Sequence, residues 1–357
     1  MPIEKIKLTN LRNIEYTEIN LANKFNLFYG ENGSGKTSVL EAIHLLSTRK
    51  SFRTSSTNQI IKNSTQSFTI YAELSDVSNI GIEKKHSEPI MVKKNGESAT
   101  VAETASRLPI QLINTTGFQL LDMGPKLRRK FIDWGVFHVE HAFFKVWQKF
   151  NNALANRNAI LKKGGSREYL SAWNSILIDN AMLIDKYRKK YFEEFCPIFM
   201  EDIGELLDIP INLDYFRGWN EDRPYEKVIN NNLMKDKMLG YTQYGPHKAD
   251  LRITAYGEPV HTRLSRGQLK LVMCSLRLAQ GRHLYKTTDK ECLYLVDDVA
   301  AELDKNYLSR LVSQLNTMKA QVLVTGIENQ HLEFFTRYGE SRMFHVKHGK
   351  FFPENVS

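Results

Sequence analysis

The stretch GENGSGKT, Gly30 to Thr37, constrains this chain more than any other feature. It fits the pattern G-x-x-x-x-G-K-[ST], follows a predicted strand, FNLFYG, and opens a predicted helix from about Gly35 to Leu46. Glycines permit a tight loop whose backbone N–H groups converge on phosphate oxygens, and the helix N-terminus adds partial positive charge. The loop therefore predicts an α/β fold that binds a nucleotide, with Lys36 at the β- and γ-phosphates and the Thr37 hydroxyl on Mg²⁺.

A second stretch, CLYLVDD, supplies the acids that such a loop requires. Its apolar residues predict a buried strand that ends in Asp297 and Asp298, and a strand of this kind delivers acids to the sheet edge beside the phosphates. We expect Asp297 to hold Mg²⁺ through water, and Asp298 to orient or deprotonate the attacking water.

A third stretch, LSRGQ from Leu264 to Gln268, resembles the LSGGQ signature of the ABC-type ATPases. In that group the signature begins a helix whose end faces the γ-phosphate of a nucleotide held by the other subunit. Ser265, Gly267 and the helix dipole would complete the site in that way, although Arg266 replaces the first central glycine. A plain capping box formed by Ser265 and Gln268 is the alternative, and both readings need the same helix terminus.

Two weaker motifs complete the set. AELD, Ala301 to Asp304, resembles the D-loop of the same superfamily, and its alternative is a helix start with acids in the first turn. Gln111, in LPIQLI, is interpreted as a Q-loop residue that ends a strand and contributes to catalysis and to Mg²⁺ binding. A structural glutamine in a buried strand is the alternative for Gln111. After the predicted strand QVLVT, Thr325 and Gly326 stand where many ABC proteins carry a histidine, so no switch histidine is assigned.

The hydrophobic period divides the chain into three parts. Residues 1–120 are mostly strand, including SFTIYAEL and a hairpin with Asn95-Gly96 as a type I′ turn. Residues 121–240 have apolar positions at helical spacing and predict an inserted, mainly helical lobe. Residues 241–357 return to α/β. The predicted fold is thus an ABC-type P-loop ATPase head, a mixed sheet with helices, interrupted by a helical lobe.

Composition limits the class of protein. No apolar run approaches the length of a membrane helix, and the widely spaced cysteines give neither a disulfide framework nor a zinc site. We therefore expect a soluble cytoplasmic protein. The net charge of +9 suits a polyanion partner, although many proteins are mildly basic without one. Candidate DNA-contacting clusters, each with a solvated surface as its alternative, are Arg49/Lys50/Arg53, Lys126/Arg128/Arg129/Lys130 and Arg188/Lys189/Lys190.

Several stretches together resemble the RecF family, which belongs to the SMC-like group of ABC ATPases. They cover the whole length and read LTNLRNIEY, NGSGKTSVLEAI, GPKLRRKFIDWGVFH, YGPHKADLRI, LSRGQLKLVMCSLRLAQG and LYLVDDVAAELD. That family carries arginine where Arg266 stands, so the departure from LSGGQ supports the resemblance. A condensin-like protein would need hundreds of coiled-coil residues between these motifs, and this chain has no room for them.

The resemblance implies an ATPase of recombinational repair and replication that is associated with the nucleoid. Such proteins bind ATP and Mg²⁺, dimerise head to head on ATP, hydrolyse it slowly, and bind duplex, gapped or single-strand/double-strand junction DNA with little sequence preference. They act with RecR and RecO to help load RecA. The nucleotide-contacting residues carried over are Arg12, Gly30, Glu31, Asn32, Gly33, Ser34, Gly35, Lys36, Thr37, Ser265, Arg266, Gly267 and Gln268.

Two other classes compete with this interpretation. The ATP-binding subunit of a transporter would carry LSGGQ and a membrane-coupling surface, and it would leave the helical lobe unexplained; another SMC-like ATPase belongs to the same alternative. A P-loop kinase would need a pocket for an acceptor substrate and would have no use for Leu264 to Gln268. His247, in GPHK, is either a ligand contact or a turn histidine held by packing.

Overall fold

The computed structural model describes residues 2–164, 167–298 and 303–354. Its contacts separate into two units, the first comprising Met1–Gly117 with Lys270–Ser357 and the second Phe118–Leu269. The N-terminal part of the first unit contains β1 (Ile3–Leu11), β2 (Ile14–Asn20), β3 (Phe25–Tyr29), α1 (Lys36–Thr48), β4 (Ser67–Leu74), β5 (Asn79–Lys85), β6 (Met91–Lys94), β7 (Glu97–Ser98), α2 (Val101–Arg107) and β8 (Ile110–Asn114).

The second unit is mainly helical and also holds a small antiparallel sheet. Its elements are α3 (Gln119–Asp122), α4 (Pro125–Val139), α5 (Phe143–Lys163), α6 (Arg167–Leu206), β9 (Ile211–Phe216), α7 (Tyr225–Asn231), α8 (Leu233–Leu239), β10 (Asp250–Ala255), β11 (Glu258–Pro259) and α9 (Val260–Arg263). The remaining elements are α10 (Arg266–Thr288), β12 (Cys292–Asp297), α11 (Lys305–Thr317), β13 (Ala320–Gly326), α12 (Glu333–Thr336), β14 (Ser341–Lys347) and β15 (Lys350–Glu354).

Of the two domain boundaries expected from sequence, the first lies close to a boundary between the units of the structure and the second does not. The first was placed at 120 and lies near the end of the first unit's N-terminal part. The second was placed at 240, but residues 241–269 pack with the helical unit. The reason is β-pairing: β10 lies antiparallel to β9, with Asp250 opposite Phe216, and β11 follows at the edge. The return to strand after residue 240 therefore belongs to a sheet of the second unit.

In the first unit, two sheets enclose the helix that follows the glycine loop. One is antiparallel, in the order β2-β1-β4-β5-β6-β7, and the other has the order β15-β14-β3-β13-β12-β8. In the second sheet β14, β3, β13, β12 and β8 run parallel, and β15 closes the edge as an antiparallel partner of β14. Helix α1 contacts β1 and β5 on one side and β12 and β13 on the other.

This position explains why α1 is buried on nearly all sides. Val39, Leu40, Ile43, Leu45 and Leu46 are completely buried. They join a single core with the inward residues of both sheets. A polar side chain that is buried on such a helix is stable only when it is paired inside the protein.

The local predictions are largely confirmed. Alternate residues of SFTIYAEL are buried, and Asn95 and Gly96 have φ of 51° and 86°, as a type I′ turn requires. Helix α2 was missed, although Thr100 and Glu103 form a capping box at its start. Within the described residues, no helix combines the length and the apolarity needed to cross a membrane.

Candidate functional site

The candidate site lies at the carboxyl edge of the parallel sheet. The glycine loop follows β3 directly, Asp297 ends β12, and Thr325 stands one residue before the end of β13. Tyr29 is the register partner of Gly326, and Asp297 is the partner of Asn114. Because these strands run in the same direction, their carboxyl ends bring the loop and the acids together, as the sequence predicted.

The glycine loop adopts conformations that its glycines allow. Gly30, Gly33 and Gly35 have φ of 147°, 79° and 119°. At Gly30 a Cβ would lie 2.3 Å from the Val346 carbonyl oxygen, so the loop packs directly against β14. Two carbonyl groups of the loop accept hydrogen bonds from other segments of the protein: the Gly349 N–H donates to Ser34 O (2.7 Å), and Asn13 Nδ2 donates to Gly33 O (2.9 Å).

The Lys36 side chain folds back onto the glycine loop. Its Nζ donates to the carbonyl oxygens of Gly30 (2.7 Å) and Glu31 (2.9 Å), and the side chain is nearly buried. Burial lowers the pKa of the Lys36 ammonium, and Asp298 and Asp297 act in the opposite direction. The ammonium is thus placed inside the loop, where phosphate oxygens could replace carbonyl oxygens as its partners.

Asp297 accepts hydrogen bonds from two threonine hydroxyl groups. Thr37 Oγ1 donates to Asp297 Oδ1 at 2.9 Å, and Thr325 Oγ1 donates to the same oxygen at 2.8 Å. Burial raises the pKa of the Asp297 carboxyl, although both hydroxyl groups favour its ionised form. The glycine loop and the strand acid, which are 260 positions apart in sequence, are therefore in direct contact.

Asp298 has a different geometry from its neighbour. Its backbone is left-handed, with φ of 55°, and its N–H donates to Thr325 Oγ1 at 3.0 Å. A left-handed aspartate is uncommon. Sequence reasoning noted Thr325 only because it is not a histidine, yet its hydroxyl contacts both acids.

A cleft of about 660 Å³ opens over the glycine loop. Residues of the loop and its helix line one side, and the remaining lining residues are Arg12, Asn13, Arg53, Gln59, Ile61, Lys62, Asn63 and Asp298. The cleft is rich in cations and N–H donors, which suits a polyphosphate. No group of three or more His, Cys, Asp or Glu among the described residues could hold a metal alone.

Arg12 lies in this cleft, as the sequence resemblance implied, but most of its N–H groups are already used. Its Nη2 and Nε donate to the two carboxylate oxygens of Glu41 at 2.7 and 2.9 Å, and Nη1 donates to Gln59 O at 2.9 Å. Arg53 also lines the cleft, and its Nη1 is 3.5 Å from Glu41 Oε2. Neither Glu41 nor Arg53 was assigned to the site from sequence.

Gln111 is not placed in the cleft, and its proposed roles in catalysis and Mg²⁺ binding are withdrawn. It is the second residue of β8, it is fully buried, and its Nε2 donates to Gln280 Oε1 at 3.0 Å. Arg277 Nη1 donates to Gln111 Oε1 at 3.0 Å. The prediction failed because β8 continues to Asn114, so the residue that ends the strand beside Asp297 is Asn114.

In the second unit, the LSRGQ stretch forms the capping box that the sequence allows. The Ser265 N–H donates to Gln268 Oε1 (2.9 Å), and the Gln268 N–H donates to Ser265 Oγ (3.3 Å). Ser265, Arg266 and Gly267 are exposed at the start of α10. In AELD, Ala301 and Glu302 lie outside the described residues, whereas Asp304 caps α11 by accepting the N–H groups of Asn306 and Tyr307.

The predicted basic clusters contain arginines that are paired within the protein and other residues that are exposed. Arg128 makes a bidentate pair with Asp250 at 2.7 and 3.0 Å, and Arg188 makes another with Asp133 at 2.8 and 3.0 Å. Both pairs join segments of the second unit. The exposed members of the clusters are Lys50, Arg53, Lys126, Lys130, Lys189 and Lys190.

His247 is a packed turn residue, as the second interpretation had it. Its Nε2 is 2.9 Å from Thr242 O, and the Phe150 ring lies beside it. Burial lowers the pKa of His247 to about 4. A neutral imidazole fixed by a backbone carbonyl and an aromatic ring has a structural role.

Comparison with known proteins gives one consistent result. The model of the RecF/RecN/SMC N-terminal domain matches residues 2–350. The DNA replication and repair protein RecF of Aliivibrio salmonicida is 43% identical over 362 residues, which covers 98% of this chain and 99% of that protein. The protein of the same name from Vibrio cholerae serotype O1 is 42% identical over 366 residues, with the same coverage of both chains.

Solved structures show the same fold. The recombination mediator protein RecF-ATP of the RecFOR pathway superposes with a TM-score of 0.85 at 24% identity, over 99% of this chain and 97% of that chain. The Smc head bound to the C-winged helix domain of ScpA superposes with a TM-score of 0.61 at 15% identity, over 100% and 98%. The predicted α/β head with a helical insertion is therefore confirmed.

Proposed function

This chain belongs to the RecF/RecN/SMC N-terminal domain family and, within it, to the RecF DNA replication and repair proteins, and we propose that it is an ATP-dependent DNA-binding protein of recombinational repair and replication maintenance. The observation that carries the proposal is the contact between Asp297 and Thr37, a residue that lines the cation-rich cleft. The transporter and kinase alternatives are set aside because relatives at 42–43% identity over 98% of the chain are RecF proteins.

ATP is the nucleotide that the cleft would take. The N–H groups of the glycine loop and the Lys36 ammonium would neutralise the phosphate chain, and a solved relative of the same fold is described as RecF-ATP. Thr37 and Asp297 would hold Mg²⁺, which neutralises charge on the β- and γ-phosphates when it is bound. Asp298, which lines the cleft, would orient or deprotonate the attacking water. Under this proposal slow ATP hydrolysis acts as a switch.

A second copy of the chain would complete each nucleotide site. The first turn of α10 is exposed and capped, and its N-terminus carries the partial positive charge that suits a γ-phosphate. Ser265, Arg266, Gly267 and Gln268 would therefore meet the nucleotide of the partner subunit. Under this proposal ATP promotes a homodimer, and hydrolysis releases it.

DNA is the proposed macromolecular ligand. The net charge of +9 and the exposed lysines near the predicted clusters support contacts to the phosphate backbone, with little preference for sequence. Duplex DNA and single-strand/double-strand junctions are the proposed substrates. By analogy with the RecFOR pathway of the solved relative, RecR would be a direct partner, with RecO and RecA acting in the same pathway.

The test is DNA binding by the wild type and by Lys36→Arg, with ATP, with ADP and without nucleotide. Fluorescence anisotropy of a labelled gapped duplex would be measured together with the mass of the protein by light scattering. We expect the wild type to bind DNA and to dimerise with ATP only. Lys36→Arg keeps the charge but not the ammonium geometry of the loop, so both responses should weaken. Equal DNA affinity in all nucleotide states would contradict the proposal.

A further inference from the structure

Glu41 is a buried carboxylate that the proposed ATP chemistry does not use. It lies on α1, the helix that begins at the glycine loop, and it is completely buried. Arg12 binds both of its oxygens as a fork, at 2.7 and 2.9 Å, and the Ser51 hydroxyl also donates to Oε1. Arg53 approaches Oε2 to 3.5 Å. An ionised carboxylate in such a position is stable only because it is paired and hydrogen-bonded.

The groups around Glu41 come from separate segments that meet at the cleft. Arg12 lies in the turn between β1 and β2, and Ser51 and Arg53 lie in the chain that follows α1. Arg12 and Arg53 both line the cleft on which the glycine loop opens. Glu41 therefore joins the helix of the phosphate loop to two cations on the wall of the same cleft.

Arg12 is held in more than one way, which argues that its position matters. Its backbone is left-handed, with φ of 58°, and its N–H donates to Ile60 O at 2.7 Å. Its remaining guanidinium nitrogen donates to Gln59 O. The left-handed conformation is unfavourable for a non-glycine residue, so the surrounding contacts must offset its free-energy cost.

We infer that Glu41 is a positioning residue for the phosphate cleft: its carboxylate fixes the Arg12 guanidinium group, and attracts that of Arg53, on the wall of the cleft on which the glycine loop opens. The inference rests on the nucleotide site proposed above and adds to it the device that orients its cations. A guanidinium clamped at both Nε and Nη2 loses most of its rotational freedom, so its remaining N–H groups are presented in a fixed direction.

Charge and positioning predict opposite results when Glu41 becomes neutral. Glu41→Gln removes a negative charge close to the cleft, so Coulomb attraction alone predicts tighter binding of a triphosphate. A positioning role predicts weaker binding, because glutamine offers only one acceptor to the Arg12 fork and the guanidinium groups lose their orientation. The sign of the change therefore decides between the two accounts.

The experiment is equilibrium binding of a fluorescent ATP analogue, at fixed Mg²⁺ and without DNA, to four proteins: wild type, Glu41→Gln, Arg12→Gln and the double variant. We expect Glu41→Gln to weaken binding by about tenfold or more. If Glu41 acts through Arg12, the double variant should bind about as weakly as Arg12→Gln alone, since the two losses are then not additive. Multiplicative losses would show that Glu41 acts independently of Arg12 and would overturn the inference.

Glu18→Gln is the matched control. It makes the same substitution at a partly exposed carboxylate on β2, which pairs with Lys5 and Lys7 at 3.3 and 3.2 Å and contacts neither cleft arginine. Its ATP affinity should equal that of the wild type. Glu41→Asp, which still offers two carboxylate oxygens, should recover part of the affinity lost in Glu41→Gln.

Folding and function can be told apart in this design. The unfolding midpoint of each protein without nucleotide shows whether a variant is folded at the assay temperature. Should Glu41→Gln not fold, Arg12→Lys takes its place, because it keeps the charge and loses the fork, and about a tenfold weaker affinity is expected again. Wild-type affinity in Glu41→Gln or in Arg12→Lys would overturn the inference. Failure of the wild type to bind ATP would instead overturn the proposed function.

Discussion

Gly30 gives the most direct test of how the phosphate loop is built, because two penalties add at one position. Its φ of 147° is strained for any residue with a side chain, which costs about 1–3 kcal/mol. A Cβ there would also lie 2.3 Å from the Val346 carbonyl oxygen and 3.3 Å from its carbonyl carbon. Both atoms belong to the backbone of β14, so the contact cannot be relieved by turning a side chain, and overpacking adds about 1–3 kcal/mol.

Gly33 provides the control within the same loop. Its φ is 79°, and a Cβ there would have no heavy atom within 4 Å. Gly33→Ala should therefore cost only the left-handed backbone, about 1–2 kcal/mol. The free energy of unfolding of Gly30→Ala should fall by about 1–3 kcal/mol more than that of Gly33→Ala, which is the contribution of the contact with β14.

The assay is thermal unfolding without nucleotide, followed by circular dichroism. For a folding unit of roughly 200 residues, the difference between the two variants corresponds to a Tm about 2–12 °C lower for Gly30→Ala. Equal midpoints for both variants would refute the reasoning, because the loop would then not be packed against Val346. Leaving nucleotide out keeps any change in phosphate binding from affecting the comparison.

Three further predictions concern the acids and the signature. Asp298→Asn should bind ATP with near-normal affinity and hydrolyse it about 10²–10⁴-fold more slowly, as measured by phosphate release; a lost affinity with an unchanged rate would mean that the roles of the two acids are reversed. Ser265→Arg should bind ATP as a monomer and fail to dimerise or to hydrolyse ATP, whereas Ser265→Ala, which loses the same cap, should still dimerise. Hydrolysis by monomeric Ser265→Arg at the wild-type rate would mean that the signature serves only as a helix cap. Burial raises the pKa of the Asp297 carboxyl, so protons should compete with Mg²⁺ for this carboxylate at a higher pH than for an exposed aspartate. The enhancement of ATP affinity by Mg²⁺ should therefore begin to fall, on acidification, at a pH above the ordinary pKa of aspartate. An enhancement that stays constant down to that ordinary pKa would contradict the raised pKa.

The parts of the site that local sequence specifies were the parts that could be predicted. The glycine loop needs particular backbone angles and a following helix, and both leave a short pattern of glycines and a lysine. Asp297 and Asp298 could be found because a buried strand must end where the chain becomes polar. Each of these signals lies within a few residues of the group that carries the chemistry.

The errors arose where tertiary contacts decide the role of a residue. Gln111 was assigned to the end of a strand, but its position depends on how far β8 pairs with β12, which a short apolar run does not reveal. Thr325 and Glu41 were not recognised as parts of the site because their partners are distant in sequence. A buried polar residue is recognisable as such only when its burial is known, and burial comes from packing.

The basic clusters show the same limit and narrow the search for a DNA surface. Lysine and arginine contribute equally to a net charge, but they are not equivalent in this fold. Arg128 and Arg188 form bidentate ion pairs with Asp250 and Asp133, because the planar guanidinium group matches the geometry of a partly buried carboxylate. Lysine is a hydrated point charge, and on these helices it stays at the surface, as Lys130 does. A polyanion would therefore meet mainly lysines on these helices, and contacts of that kind neutralise phosphates without reading bases.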